Sequence, residues 1–181
     1  MAFPLRPFSA LIAAALICAN LVSAASRSSL DQEARTALES LYAKTPAARA
    51  LGAKAKAILV FPRIVKAGLI IGGQGGDGVM LKNGKTAGYY SSGGLSVGYQ
   101  AGAQSYGYAL FFMSDSSLQY LSNSDGWEIG VGPSVVVVDA GMAKSLTTTT
   151  AKSDIYAFFF DQKGLMAGMG LQGTKITPKE R

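Results

Sequence analysis

The sequence predicts an α+β fold: two N-terminal helices packed on a glycine-rich, strongly curved, mainly antiparallel sheet of about eight strands, barrel-like in its bend. Three observations carry that expectation. The hydrophobic period changes from helical to alternating near residue 57. The short apolar runs that follow are separated by turn signals, not helices, which suits hairpins rather than βαβ units. Thirteen glycines lie between Gly68 and Gly107, and glycine inside strands marks bends, bulges or close backbone approach.

Residues 1–24 read as a secretory signal and 25–181 as one domain. Arg6 supplies a basic start, Phe8 to Val22 an apolar stretch, and Val22-Ser23-Ala24 the small residues a signal peptidase requires. Cleavage is expected after Ala24 or Ala25, and the expected location is the periplasm or cell envelope. The apolar run, about 15 residues, is shorter than the roughly 20 needed to span a bilayer. Lipidation at Cys18 would need a small residue where Ile17 stands. The 157 residues after Ala24 are enough for one domain with its own core.

Residues 29–44 form the first expected helix. Ser29 and Gln32 have capping-box spacing, and Leu30, Ala34, Leu38 and Leu41 make one stripe. The second helix starts at Thr45, with Pro46 at its first position, and runs to about Lys56. Arg49 and Lys56 share a face on that reading and Lys54 does not. Strands are then expected at Ala57–Phe61, stopped by Pro62, and at Ala67–Ile71. Val79–Tyr90 is a hairpin around Asn83-Gly84, whose two positions need positive φ. Its flanking Lys82 and Lys85 face each other, which is unfavourable unless they are solvated or bound to an anion. Leu95 to Ala103 alternates as one strand and Ala109–Met113 continues the sheet. Ser114-Asp115 caps a short helix through Leu118 and Leu121. Trp127–Val131, Ser134–Val138, Ile155–Phe160 and Leu165–Leu171 are further strands, with a turn at Asp161–Gly164.

The chain contains no histidine, and its single cysteine lies in the signal. Catalysis by Ser-His-Asp or Cys-His, His- or Cys-ligated zinc, and iron–sulfur clusters are thereby excluded for the mature protein. No metal and no cofactor is expected. Gly73 to Gly78 fits the dinucleotide string G-x-G-x-x-G, but a strand follows where the pyrophosphate needs a helix N-terminus. Gly84-Lys85-Thr86 resembles the end of a phosphate-binding loop, but Val79 stands where its first glycine belongs. The aspartates are scattered, and no pair has a spacing that acid–base chemistry would demand.

Charge is unevenly spread. From Ser40 to Gly76 there are six bases, Lys44, Arg49, Lys54, Lys56, Arg63 and Lys66, and no acid. A basic run in an exported chain suits an anionic membrane surface, at up to about 1 kcal/mol per Lys or Arg placed there. A solvated helix face is the alternative reading. Nucleic acid is not an expected partner, because an exported protein rarely meets it.

At Ala55-Lys56-Ala57-Ile58-Leu59-Val60-Phe61-Pro62 the chain begins to resemble the SYLF domain family. The similarity continues through Lys66-Ala67-Gly68 and the glycines from Gly72 to Gly78. It resumes at Phe112-Met113-Ser114, Gly130-Val131-Gly132-Pro133, Ile155-Tyr156-Ala157 and Gly164–Gly168, so that it spans roughly residues 30–175. Tyr89-Tyr90-Ser91-Ser92 departs from the Trp-Ser-x-Pro-like stretch expected there. The resemblance implies a non-enzymatic module that binds anionic phospholipid through basic residues near its N-terminal end. Lys44, Arg49, Lys54, Lys56, Arg63 and Lys66 occupy that region, and Lys82 and Lys85 join them as candidates, with apolar sheet surface meeting acyl chains. For an exported bacterial member the implied ligand is a lipid such as phosphatidylglycerol or cardiolipin. No SH3 or FYVE domain stands beside it here, so actin and trafficking roles are not carried over. The alternative is a scaffolding envelope protein that self-associates as a homo-oligomer through sheet edges or apolar faces.

Overall fold

The structure, a computed structural model, describes residues 9–68, 71–97, 102–147, 149, 151–163, 171 and 173–179. Its elements in chain order are α1 (Ser9–Lys44), α2 (Pro46–Gly52), β1 (Ala57–Gly68), β2 (Ile71–Lys82), β3 (Lys85–Val97), β4 (Gly102–Phe112), α3 (Asp115–Asn123), β5 (Trp127–Glu128), β6 (Val135–Val138), α4 (Ala140–Ser145), β7 (Ile155–Lys163) and β8 (Lys175–Lys179). They form an α+β fold with one eight-stranded sheet, ordered β5-β8-β3-β2-β1-β4-β7-β6. Every pairing is antiparallel except that of β6 with β7.

The sheet curls strongly. Flat, seven strand spacings of about 4.8 Å would set its edges roughly 34 Å apart. Yet edge strands β5 and β6 are joined by residues 129–134 alone, a link that reaches about 25 Å at most. Contacts across the hollow agree: the Phe112 ring on β4 lies 6.3 Å from Trp127 on β5. The period-two alternation buries both faces. Leu59, Phe61, Tyr108, Phe112, Trp127 and Ile176 fill the inner side. Ile58, Val60, Val79, Leu81, Phe111 and Phe158 face outward against Ala34, Leu38 and Leu41 of α1 and Leu51 of α2.

Several expectations change. The first helix does not start at Ser29, and the expected cleavage point lies inside α1. Ser29 Oγ donates to the Ser26 carbonyl and Gln32 Nε2 to Thr36 Oγ1, so no capping box forms. A cap needs orphan N–H groups, and a helix that continues upstream leaves none. The second helix starts as expected at Pro46 but ends at Gly52 rather than near Lys56, so Lys54 and Lys56 lie beyond it. Pro62 does not stop β1. It sits in a bulge where register shifts against β4 between Phe61 and Ile64, the place where a missing N–H costs a sheet least.

Ala67–Ile71 is not one strand either, since β1 ends at Gly68 and β2 begins at Ile71. Leu95–Ala103 divides into the end of β3 and the start of β4. These are not neighbours: β4 returns beside β1, in Greek-key order. Residues 161–163 belong to β7 rather than to a turn, with Asp161 at φ 50° next to a register shift. Aspartate tolerates that backbone better than most residues. Gly164, and the Leu165–Leu171 strand except Leu171, lie outside the described residues. Leu171 is buried without being in a strand. α4 and β8 carry too few periodic residues for the sequence to reveal them.

Candidate functional site

The Asn83-Gly84 hairpin forms as predicted, with φ of 51° and 72°, and sets Lys82 directly opposite Lys85. α1 lies against this hairpin. Arg35 donates from Nη1 to the Gly84 carbonyl at 2.6 Å and from Nη2 to Thr86 Oγ1 at 3.3 Å. One turn earlier, Asp31 accepts from Thr86 Oγ1 at 3.1 Å and from the Tyr89 hydroxyl at 3.2 Å. A cleft of about 430 Å³ opens between helix and hairpin, lined among others by Arg35, Leu38, Glu39, Tyr42, Ile58 and Leu81.

The linker from α2 to β1 forms the opposite wall. Ala53, Ala55 and Ala57 line the cleft, alternating with Lys54 and Lys56, both exposed. Asn83 and Gly84 line it too, flanked by Lys82 and Lys85, also exposed. The lining is therefore mixed, with Arg35, Glu39 and Asn83 beside Leu38, Ile58 and Leu81, and exposed lysines stand next to it. Tyr42 lies under the Arg49 guanidinium, 5.4 Å from ring centre to Cζ. Burial first, then the charge of Glu39, pushes its phenol up to about 12 against the opposing pull of Arg49. Gly52 has no side chain because the Tyr42 hydroxyl occupies the space a Cβ would need.

The eight candidate cations do not form one cluster. Lys54 and Lys56 alternate with lining residues and Lys82 and Lys85 flank them, so these four stand beside the cleft without lining it, and Arg49 sits above Tyr42. Lys44 pairs with Asp161 at 3.3 Å and Lys56 with Asp115 at 3.2 Å. Among the described residues, Lys54, Lys82 and Lys85 form no ion pair. Arg63 stands at the β1 bulge beside Gln32, Glu33 and Thr36 of α1. Lys66 lies further along β1, in register with Gln74 and Gln104, well away from the hairpin. No sequence signal points to Arg35 or Asp31. Each reads alone as a polar residue on a helix, and its partners lie about fifty residues away. Gly73 to Gly78 lies within β2, which leaves no helix N-terminus for a dinucleotide.

Residues 93–181 match the Ysc84 family, described as Las17-binding protein actin regulator. The motifs at Phe112–Ser114, Gly130–Pro133, Ile155–Ala157 and Gly164–Gly168 fall inside that span. Those from Ala55 to Gly78 and all eight candidate cations precede it. No curated protein matches the chain.

Proposed function

We propose, from the match of residues 93–181 to the Ysc84 (SYLF) family, a binding-domain family associated with lipid binding and actin regulation, that the chain is a non-enzymatic module that binds anionic phospholipid in the bacterial cell envelope. One observation carries the reading. Lys54, Lys82 and Lys85 stand exposed beside a cleft whose lining includes Leu38, Ile58 and Leu81, and none of the three forms an ion pair among the described residues. Like charges opposed across a hairpin are costly unless something neutralises them, and a phosphodiester head group would. Glycerol and the first acyl carbons would meet Leu38, Ile58 and Leu81. Three lysines at an anionic interface contribute about 3 kcal/mol, roughly a hundredfold in affinity. Among the described residues no helix is long and apolar enough to cross a membrane; the contact we propose is with the lipid surface.

Flotation with phosphatidylglycerol vesicles tests this. Binding should fall steeply as salt rises, because exposed charges are screened within about 8–10 Å at physiological ionic strength. Lys54→Gln, Lys82→Gln and Lys85→Gln together should weaken it at least tenfold and flatten the salt dependence. Equal binding to neutral phosphatidylcholine vesicles, or undiminished binding by the triple variant, would falsify the reading.

A further inference from the structure

Among the described residues that line the cleft between α1 and the hairpin, Glu39 is the one acid. It is exposed and makes no salt bridge among the described residues. On a helix its partners would stand three or four residues away. Those positions hold Arg35, Thr36, Tyr42 and Ala43, so Arg35 is the one cation within helical reach. Arg35 is turned to the hairpin instead, where its two terminal nitrogens donate to the Gly84 carbonyl and the Thr86 hydroxyl. The clamp that holds the cleft together therefore leaves a carboxylate in its wall without a counter-ion.

The lysines beside the cleft, Lys54, Lys82 and Lys85, would attract any phosphate, whatever group that phosphate carries. A carboxylate discriminates. It accepts hydrogen bonds and donates none, so it favours a head group with donors and repels one that ends in bare phosphate. A phosphate monoester carries about −1.5 to −2 at neutral pH and would set that charge against Glu39. An ammonium head group would suit the carboxylate but would bring its own charge beside Arg35, which lines the same cleft, and beside the lysines. A hydroxyl donates without carrying charge. The Tyr42 hydroxyl, which fills the space next to Gly52, is a second polar group of the same wall, close enough for the charge of Glu39 to act on it.

We propose that Glu39 makes this cleft selective among anionic phospholipids, favouring a polyol head group such as glycerol, whose hydroxyls donate to its carboxylate, over the bare phosphate of phosphatidic acid. This selectivity rests on the cleft being a lipid site. Charge alone gives the opposite order, because phosphatidic acid is the more negative lipid and the lysines would draw it more strongly.

The test floats the full chain with phosphatidylcholine vesicles that carry equal fractions of either phosphatidylglycerol or phosphatidic acid. The wild type should prefer phosphatidylglycerol by about fivefold or more, as one charge-assisted hydrogen bond allows. Glu39→Gln should abolish or reverse that preference, chiefly by binding phosphatidic acid more tightly. Glu39→Asp, which keeps the charge, should keep the order. Because Glu39 is exposed, neither substitution disturbs the core. A soluble readout accompanies these: glycerophosphoglycerol should displace the wild type from phosphatidylglycerol vesicles at lower concentration than glycerol phosphate does, and Glu39→Gln should lose the difference. Wild-type binding to phosphatidic acid as tight as to phosphatidylglycerol, or a ratio that Glu39→Gln leaves unmoved, would overturn the selectivity while the anionic-lipid reading stands. Binding to neither lipid above the phosphatidylcholine background would overturn that reading, and the selectivity with it.

Discussion

Individual side chains gained or lost meaning according to where the chain folded them. Lys82 and Lys85 kept the opposition expected of them, because two residues determine a two-residue turn. Arg49 became a ring-stacking cation, whereas Lys44 and Lys56 acquired acidic partners. The tyrosines show burial most directly. Burial pushes both Tyr42 and Tyr106 up to about 12, and pushes fully buried Tyr108 higher still, despite its bond to Ser92 at 2.7 Å. Their ordinary value is 10.0. The folded state then holds these protons more tightly than the unfolded state. Their contribution to stability is intact below pH 10 and is lost as pH rises through about 12. Alkaline titration followed by phenolate absorbance should show Tyr42, Tyr106 and Tyr108 releasing their protons well above 10, Tyr108 only as the fold is lost. All eight tyrosines titrating together near 10, with the fold intact, would contradict this burial.

At the level of elements, local signals held where a few neighbouring residues determine the geometry. Ser114 caps α3, accepting from the Ser117 N–H, and Asn83-Gly84 turns β2 into β3. Signals failed where distant chain intervened. Ser29 could not cap a helix already running, and Pro62 was absorbed by a bulge instead of ending a strand. The α1–hairpin contact is expected to be a measurable part of stability. Arg35→Ala removes two hydrogen bonds to the turn and should cost about 1–2 kcal/mol. Gly84→Ala forces a side chain onto φ +72° and should cost about 1 kcal/mol. Urea unfolding would show both as lower midpoints with an unchanged slope. If Arg35→Ala unfolds like the wild type, the clamp contributes nothing and the wall of the cleft is less fixed than its geometry implies.

For the whole molecule, the length of the 129–134 link compared with the width of eight strands shows that the sheet must curl. On its outer face α1 and α2 pack at one end, beside the cleft and the hairpin, and the glycine-rich strand ends lie at the other. The basic run from Lys44 to Lys66 follows the chain across both regions, which is why one sequence segment could not be one site. Export belongs to this scale too. Arg27, just after the expected cleavage point, stacks on Tyr89 at 5.5 Å, and Asp31 bonds the same tyrosine. Expression of the full chain in a bacterial host should yield an envelope-fraction species beginning at Ala25 or Ser26, read by N-terminal sequencing. A chain retaining Met1 in the cytoplasm would overturn the export reading.

The sequence by itself determined fold class, helix-then-sheet order, the hairpin, the α3 cap and the absence of imidazole chemistry. Each of these follows from composition, from periods of two or 3.6 residues, or from contacts within a few residues. Only the tertiary structure decided that β4 lies beside β1, that β6 runs parallel to β7, that Arg35 and Asp31 hold the hairpin, and that Arg63 and Lys66 lie away from Lys82 and Lys85. Those outcomes depend on which strands pair across dozens of residues. Pairing is settled by burial on both faces of a curled sheet, which no short window of the chain records.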